Sequence, residues 1–362
     1  MNWEGFVELN EMMNSNDWRA ELCARDVDVR EDGPYVLLKY SIKADFSDPL
    51  VCQCRGVIFK NEGGAYRCIC HPFEKFFNFQ ETYAAPIDWS KAVVTEKVDG
   101  SLCKVWFDGE WKWSTNNTID AYKAPINDFM SFGELIEQAD NYSDIQWDRM
   151  DEDKTYLFEL VSPYNQVVVK YEAPHLYHIA TIGVDGGEFD CEIGIEKPKT
   201  YPLSSLNDCV RAAEKMNDGM VDQEGFVVFD GQNRIKIKSP KYIMYHRMWN
   251  NGGMSAERIV EILKTEQLEK TIAVFPLMAD TLLSWNAAIA QFLVKAQKVI
   301  ANSRSYYAEF DYDRRAAAQV IKEMEFPSIG FWALDHEGTV FDFVSQLSTS
   351  KFIKFVEQVK GD

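Results

Sequence analysis

A chain of 362 residues, of which 46% are hydrophobic and 14% aromatic, is long enough to bury a full core in about two domains. Its formal net charge of -19 argues against a general, sequence-blind binder of nucleic acid, because such binders gain affinity by neutralising phosphates with lysine and arginine. An acidic body around a small basic site remains compatible with an enzyme that contacts only a few nucleotides.

The amino-terminal segment does not have the pattern of an export signal. Glu4, Glu8 and Glu11 lie where a signal peptide would be basic, and no apolar run approaches the roughly 20 residues of a membrane helix. We therefore expect a cytoplasmic protein. Its eight cysteines are expected to be reduced thiols rather than a disulfide framework.

From about Tyr35 to Lys238 the sequence predicts a sheet-rich domain with interspersed helices. Asn61-Glu62-Gly63-Gly64 separates two apolar runs and predicts a hairpin, because glycine supplies the positive φ that a tight turn needs. The other runs that predict strands are 51–59, 93–96, 155–161 and 225–229, and helices are predicted at 126–139 and 203–216.

The pattern changes after Asn250-Asn251-Gly252-Gly253. No glycine follows until Gly330, and apolar residues recur at helical spacing, as in Ile259, Ile262 and Leu263. We predict a first domain at 1–248 and an all-α carboxyl-terminal domain at 249–362, whose first helix is capped by Ser255.

The segment Thr95-Glu96-Lys97-Val98-Asp99-Gly100 puts a lysine at the end of a hydrophobic strand, beside a sharp turn. A neutral lysine amine can attack the α-phosphorus of a nucleoside triphosphate if desolvation or nearby cations lower its pKa. The Lys-x-Asp-Gly pattern is short, however, and a surface turn with a solvated lysine explains it equally well when it stands alone.

Other residues supply what such an attack requires. A triphosphate needs cations to offset charge as pyrophosphate leaves, and alternation along a strand puts Lys236 and Lys238 on one face. Carboxylates are needed for magnesium, which prefers oxygen ligands. The candidate cations are Arg55, Lys75, Lys236 and Lys238, and the candidate carboxylates are Asp99, Glu159 and Glu224.

These pieces occur in a fixed order that resembles the nucleotidyltransferase motifs of polynucleotide ligases and capping enzymes. Cys54-Arg55-Gly56 and Lys75-Phe76-Phe77-Asn78 come before Lys97, and Phe158-Glu159, Glu224-Gly225-Phe226 and Lys236-Ile237-Lys238 follow it. With Tyr242 and His246 added, residues 35–246 look like the ATP-dependent RNA ligases first known from T-even phages, the RNA ligase 1 type.

The resemblance implies an α+β fold, in which an ATP-grasp-like ligase domain of antiparallel sheets with flanking helices precedes the all-α domain. It also implies that Lys97 is the nucleophile that becomes AMP-lysine, with ATP and Mg²⁺ or Mn²⁺ as cofactors. Lys236 and Lys238 would contact the α-phosphate. The resemblance further implies that Arg55 and Lys75 contact the phosphates and that Tyr40 and Tyr242 lie near them. It implies that Glu159 contacts the ribose and Glu96 the adenine. Metal support would come from Glu224 and, more weakly, from Asp99.

The implied activity is the sealing of RNA 5′-phosphate and 3′-hydroxyl ends through lysyl-AMP and RNA-adenylate intermediates. By resemblance we expect repair of cleaved tRNA, an end-healing kinase or phosphatase as partner, and a helical domain that sets RNA specificity. We further expect a monomer, located in the host cytoplasm if a phage encodes it.

Three alternatives stay open. A DNA ligase or a capping guanylyltransferase would continue into a small β-barrel, which the glycine-free tail disfavours. A catalytically lapsed binding protein is suggested by one departure, because Asn116 or Asn117 stands where relatives carry a basic residue. Finally, Cys52, Cys54 and the segment Cys68-Ile69-Cys70-His71 could form a zinc site, although paired thiols in a half-buried strand are more often small apolar residues.

Overall fold

The computed structural model describes residues 3–216, 221–249, 255–265, 268–274 and 278–360. The chain divides into two compact units, Met1–Arg247 and Met248–Asp362. The predicted turn at 250–253 lies outside the described residues. In the part of the chain that is described, no helix is long and apolar enough to span a membrane.

The first unit begins with a four-stranded antiparallel sheet covered by helices. Its strands pair in chain order, and the predicted hairpin joins the last two, with Gly63 and Gly64 at φ +72° and +108°. Phe6, Leu9 and Trp18 of the helices pack on the sheet. The strands are β1 (Val27–Asp32), β2 (Tyr35–Tyr40), β3 (Arg55–Glu62) and β4 (Ala65–Cys70), and the helices are α1 (Trp3–Met13), α2 (Trp18–Ala24) and α3 (Pro49–Gln53).

Two five-stranded sheets follow in the same unit. One has the order β13-β12-β11-β7-β8 and the other β14-β6-β15-β16-β5, with antiparallel pairing throughout except for the parallel pair β16 and β5. The strands are β5 (Phe77–Asn78), β6 (Val93–Lys97), β7 (Ser101–Phe107), β8 (Trp111–Thr115), β11 (Lys154–Val161), β12 (His175–Gly183), β13 (Glu188–Phe189), β14 (Thr200–Tyr201), β15 (Gly225–Phe229) and β16 (Arg234–Lys238).

Short elements complete the first unit. Ser205 caps α5 through its hydroxyl, which accepts a hydrogen bond from the backbone N–H of Asp208. The remaining elements are the small sheet of β9 (Pro125–Asn127) and β10 (Met130–Ser131), the helices α4 (Phe132–Glu137), α5 (Leu206–Lys215) and α6 (Pro240–Trp249), and 3₁₀ turns at Ala121–Lys123, Tyr142–Asp144 and Trp147–Arg149.

Two sequence predictions were wrong in their bounds. The run 51–59 is not one strand, because Pro49 and the Asp48 side chain, which accepts from the Leu50 N–H, begin a helix that continues to Gln53. The predicted helix at 126–139 is only its second half, because the capping box of Ser131 and Glu134 begins α4 after the β9-β10 hairpin.

Every regular element among the described residues of the second unit is a helix. Ser255 caps the first of them, as predicted, by accepting from the Arg258 N–H at 3.3 Å. The helices are α7 (Ala256–Lys264), α8 (Leu268–Val274), α9 (Ala279–Glu309), α10 (Arg314–Ile321), α11 (Pro327–Asp335), α12 (Val340–Ser345) and α13 (Thr349–Lys360). The α+β arrangement with antiparallel sheets, followed by a helical carboxyl-terminal region, is therefore confirmed.

Candidate active site

Lys97 is the last residue of β6, and the turn after it leads directly into β7. Gly100 in this turn lies against β11, where a Cβ atom would approach the carbonyl oxygen of Leu160 to 2.4 Å. The Gly100 N–H donates to Oε1 of Glu159 at 3.2 Å. Glycine is therefore required here for close packing of the turn, and this packing brings Glu159 next to the lysine.

Glu224 connects two lysines from the strands on either side of β15. Lys97 and Lys238 are both in register with Gly225, the residue after Glu224, so the sheet itself brings the three side chains together. Oε2 of Glu224 lies 2.7 Å from Nζ of Lys97, and Oε1 lies 2.7 Å from Nζ of Lys238. Glu224 is only 3% exposed. The carboxylate therefore holds both amines at a buried point.

The charges of this trio control one another. Burial favours the neutral amine of Lys97, but the attraction of Glu224 and Glu159 outweighs it and raises the pKa of Lys97 above its ordinary value. Burial likewise opposes ionisation of Glu224, but Lys97 and Lys238 hold its pKa below the usual range. The neutral amine expected from sequence is therefore not the resting state of this arrangement.

Glu159 differs from Glu224 in its ionisation. Burial raises the pKa of Glu159 to about 7, and the attraction of Lys97 only partly offsets that effect. A buried and a half-buried carboxyl beside one lysine thus have well-separated pKa values. Glu159 can carry a proton near neutral pH while Glu224 stays ionised.

Asp99 accepts three hydrogen bonds. Its Oδ1 accepts from the hydroxyl of Tyr242 at 2.6 Å, and its Oδ2 accepts from the backbone N–H groups of Val168 and Val169 at 2.9 and 2.7 Å. Its pKa is raised by burial and by the nearby charge of Glu224, against these hydrogen bonds. These three bonds order the backbone around the site and occupy three of the roughly four lone-pair positions of the carboxylate.

The predicted cations line a path away from Lys97. Burial, together with the charges of Arg55 and Lys97, lowers the pKa of Lys236 to about 7. Nζ of Lys236 and the guanidinium of Arg55 lie 4.8 and 5.6 Å from the ring of Phe76. Nζ of Lys75 lies 4.1 Å from the ring of Phe46. Aromatic rings pack against these three cations, and no carboxylate among the described residues forms an ion pair with them as Glu224 does with Lys97.

One nitrogen of Arg55 is buried without a hydrogen-bond partner among the described residues, namely Nη1. A buried donor left unsatisfied costs about 1–3 kcal/mol, so such a group is a place where a ligand is expected to bind. An anionic ligand with several oxygens, such as a polyphosphate, satisfies this donor and the neighbouring lysines together.

The structure does not bring every predicted residue into this cluster. Tyr40 does lie beside it, with Nζ of Lys75 5.3 Å from its ring. Glu96 precedes Lys97 on β6 and therefore points to the opposite face of the sheet. The nearest charges that act on Glu96 are Lys199, Asp222 and Glu196, and burial raises its pKa.

One residue of the cluster was missed from sequence. Lys39 precedes Tyr40 on β2, and its Nζ lies 4.6 Å from the Tyr40 ring. A bulge at Gly56 shifts the register between β2 and β3, so that Lys39 is opposite Arg55. Strand alternation was the available signal, because it puts Lys39 on the face of β2 that carries Leu37, but the register shift that brings Arg55 opposite it cannot be read from sequence.

The four cysteines are not arranged as the zinc site that was considered as an alternative from sequence. Cys52 lies in α3 and Cys54 just after it, whereas Cys68 and Cys70 lie on β4, and all four are buried free thiols. The described residues contain no group of three or more His, Cys, Asp or Glu side chains placed to hold a metal ion. Burial raises the pKa of the Cys52 thiol to about 11.

Comparison with known proteins gives a family match over the same region. Residues 53–242, more than half of the chain, match the family described as RNA ligase. A protein of Autographa californica nuclear polyhedrosis virus, described as a bifunctional polynucleotide kinase/RNA ligase, is 28% identical over 266 residues, covering 67% of this chain and 37% of that protein. RNA ligase 1 of bacteriophage TS2126 is 28% identical over 248 residues, covering 61% and 59%.

Similarity to solved structures is weaker. An archaeal ATP-dependent RNA ligase aligns with a TM-score of 0.43 at 15% identity, covering 65% of this chain and 64% of that one. The chain spans little more than a third of the viral protein and about three fifths of the phage enzyme.

Proposed function

The chain belongs to the RNA ligase family of the T4 RNA ligase 1 type, and from that premise we propose that it is an ATP-dependent enzyme that seals RNA ends. Three reactions follow one another. Lys97 attacks ATP to form lysyl-AMP and pyrophosphate, AMP passes to an RNA 5′-phosphate, and an RNA 3′-hydroxyl displaces AMP to close the strand.

The observation that carries this proposal is the trio of Lys97, Glu224 and Lys238, with 2.7 Å between each amine and the buried carboxylate. An unreactive structural lysine does not need a second lysine on the same carboxylate. Here, neutralisation of Glu224 persists through Lys238 when Lys97 forms its bond to phosphorus and loses its charge. The trio thus supports both the free and the adenylated state of the protein.

Divalent metal is part of the proposal. Both oxygens of Glu224 pair with amines, so a metal or its water would have to replace one of these partners. Magnesium or manganese near Glu224 would supply positive charge that offsets the phosphates and lowers the pKa of Lys97. The three hydrogen bonds that Asp99 already accepts argue against a second ligand there.

Binding of the triphosphate would use the cations along the path from Lys97. We assign the α-phosphate to Lys238 and Lys236, and the remaining phosphates to Arg55 and Lys75. The unpaired Nη1 of Arg55 supports an anionic ligand at this point. Glu159, protonated near neutral pH, can donate a hydrogen bond to the ribose, while the orientation of Glu96 gives no support to its contact with adenine.

The substrates and setting are proposals that rest on the relatives. An RNA with 5′-phosphate and 3′-hydroxyl ends follows from the family, and cleaved tRNA is the RNA that we propose. One relative is described as a kinase joined to a ligase, which supports a separate or linked end-healing partner for this chain. We further propose that the helical unit selects the RNA, that the protein acts as a monomer, and that it works in the host cytoplasm, as phage and viral relatives suggest.

Two other activities are less well supported. A DNA ligase or a capping guanylyltransferase would share Lys97, but the family match and the helical second unit favour an RNA ligase. A lapsed binding protein would have no reason to keep Lys97, Glu224 and Lys238 in contact.

The deciding experiment uses purified protein, magnesium and ATP or GTP labelled at the α-phosphate. Label from ATP alone should attach to the protein and then move into a joined, 5′-phosphorylated RNA. Label from GTP would point to capping, label that moves only into DNA would point to a DNA ligase, and no label would favour the lapsed protein.

A further inference from the structure

The strongest charges that act on Lys39 are all positive. Burial lowers the pKa of Lys39 to about 7, and the charges that lower it further are those of Arg55, Lys104, Lys75 and Arg30. Lys39 and Arg55 are also direct cross-strand partners on β2 and β3. Like charges placed opposite each other destabilise a sheet, so this arrangement opposes folding unless an anion relieves it.

A glycine bulge makes the arrangement possible. Gly56 has φ +89°, and a Cβ there would lie 2.7 Å from the backbone oxygen of Asn116. The loop that carries Asn116 can therefore pack directly on β3. The bulge also puts Arg55, instead of Gly56, opposite Lys39, which lies on the same face of β2 as Leu37.

Asn116 connects Lys39 to the site. In the amide orientation that satisfies both of its polar atoms, Asn116 donates to the carbonyl oxygen of Arg55 at 2.6 Å and accepts from Nζ of Lys39 at 2.7 Å. This is the loop where a basic residue was expected and asparagine stands instead. The amine of Lys39 reaches the position next to Asn116 from another strand.

The charged residues near Lys39 indicate which part of the nucleotide it would contact. Burial and the charges of Arg55 and Lys97 are the main causes that lower the pKa of Lys236. Lys39 is influenced by Arg55 and Lys75 but not, among its strongest neighbours, by Lys97. Lys39 also pairs directly with Arg55 across β2 and β3, so we group it with Arg55, to which we assign the phosphates beyond the α-phosphate.

We propose that Lys39 binds the β- and γ-phosphates of ATP, and the pyrophosphate that leaves, in place of the basic residue missing at Asn116. This inference rests on the proposed function. In the first reaction the Lys97 nitrogen forms a bond to the α-phosphorus, the bond from that phosphorus to the bridging oxygen breaks, and pyrophosphate takes the electron pair. Lys39 would stabilise that developing charge, together with Arg55.

The test compares two reactions of the same enzyme. Formation of lysyl-AMP from ATP involves pyrophosphate, whereas joining of RNA that already carries AMP at its 5′ end does not. Lys39→Ser should lower kcat/KM for lysyl-AMP formation roughly tenfold to a hundredfold, the range expected for loss of a hydrogen bond to a charged group. The ratio of the rate of lysyl-AMP formation to the rate of joining of adenylated RNA should fall by the same factor.

Two further variants make the test specific. Lys39→Ser combined with Asn116→Lys should regain much of the lost rate, because it returns an amine to the same place from the loop. Lys43→Ser removes an exposed lysine nearby and serves as the matched control for net charge. An equal fall in both reactions of Lys39→Ser, or no rescue by Asn116→Lys, would overturn the inference and leave Lys39 as a structural residue.

The outcome for Lys39 can be separated from that for the whole proposal. If the wild-type protein forms no lysyl-AMP, the proposed function itself fails. If the wild type forms it and Lys39→Ser matches the wild type, only the role of Lys39 is refuted. A labelled pyrophosphate exchange assay on the same proteins should show the same order of rates.

Discussion

Nζ of Lys97 lies 2.7 Å from Oε2 of Glu224, and this contact keeps the proposed nucleophile protonated. The amine must lose that proton before it can attack phosphorus, so the rate of lysyl-AMP formation should rise with pH. The same contact therefore predicts how a change in the carboxylate shifts the pH profile.

Glu224→Gln keeps the shape of the side chain and removes its charge. Burial, the largest effect on Lys97, then acts against a weaker opposing attraction, so the pKa of Lys97 should fall. Single-turnover formation of lysyl-AMP, measured from pH 6 to 10, should have its rising limb at lower pH in Glu224→Gln than in the wild type. Glu8→Gln, an exposed position on α1, should leave the limb in place. If the rising limb of Glu224→Gln coincides with that of the wild type, Glu224 does not control the pKa of Lys97.

Lys97→Ala tests the covalent step directly. Lys238 still neutralises Glu224 in this variant, so the fold should persist. Labelling of the protein by ATP and joining of ordinary 5′-phosphorylated RNA should each fall at least about a thousandfold. RNA that already carries AMP should still be joined, because that reaction needs no lysine nucleophile. Joining of ordinary RNA at the wild-type rate would be incompatible with the mechanism.

Much of the site could be predicted from sequence because its residues lie at strand ends and turns with readable patterns. Lys97, Gly100, Lys236 and Lys238 follow from strand alternation and turn chemistry, and the structure has them where those patterns require. The hairpin before Ala65 was predicted for the same reason.

The errors have a different origin. Lys39 was missed because its pairing with Arg55 depends on a bulge, and that bulge depends on packing between Gly56 and a loop that is distant in sequence. The hydrogen bonds of Asp99 could not be predicted from sequence because their donors come from 168–169 and from α6. The pKa of Lys97 depends on Glu224, a partner 127 residues away.

Glu159 gives a prediction for stability. Its pKa in the folded protein is about 7 instead of the ordinary 4.5, so the folded state favours the protonated carboxyl. The associated stability is fully present below about pH 4.5 and is lost as pH rises through about 7. Glu159→Gln has no such loss, and its stability relative to the wild type should increase by about 1–3 kcal/mol between pH 4.5 and pH 8.

Urea unfolding of both proteins at the two pH values measures this difference. Glu152→Gln, an exposed position just before β11, is the matched control and should follow the wild type at both. If the difference in free energy of unfolding between Glu159→Gln and the wild type is the same at both pH values, Glu159 ionises normally in the folded protein.

Tyr242→Phe tests whether Asp99 orders the site or binds metal. The substitution removes the O–H that donates to Asp99 at 2.6 Å and leaves the two backbone donors of Val168 and Val169. Loss of a hydrogen bond to a buried carboxylate should cost about 1–3 kcal/mol of unfolding free energy. Tyr164→Phe, at an exposed hydroxyl, should cost much less. If Asp99 only orders the backbone, the magnesium concentration for half-maximal lysyl-AMP formation should be the same in Tyr242→Phe as in the wild type. A metal ligand freed from its tyrosine partner would instead bind magnesium more tightly, and a clear fall in that concentration would return Asp99 to the metal site.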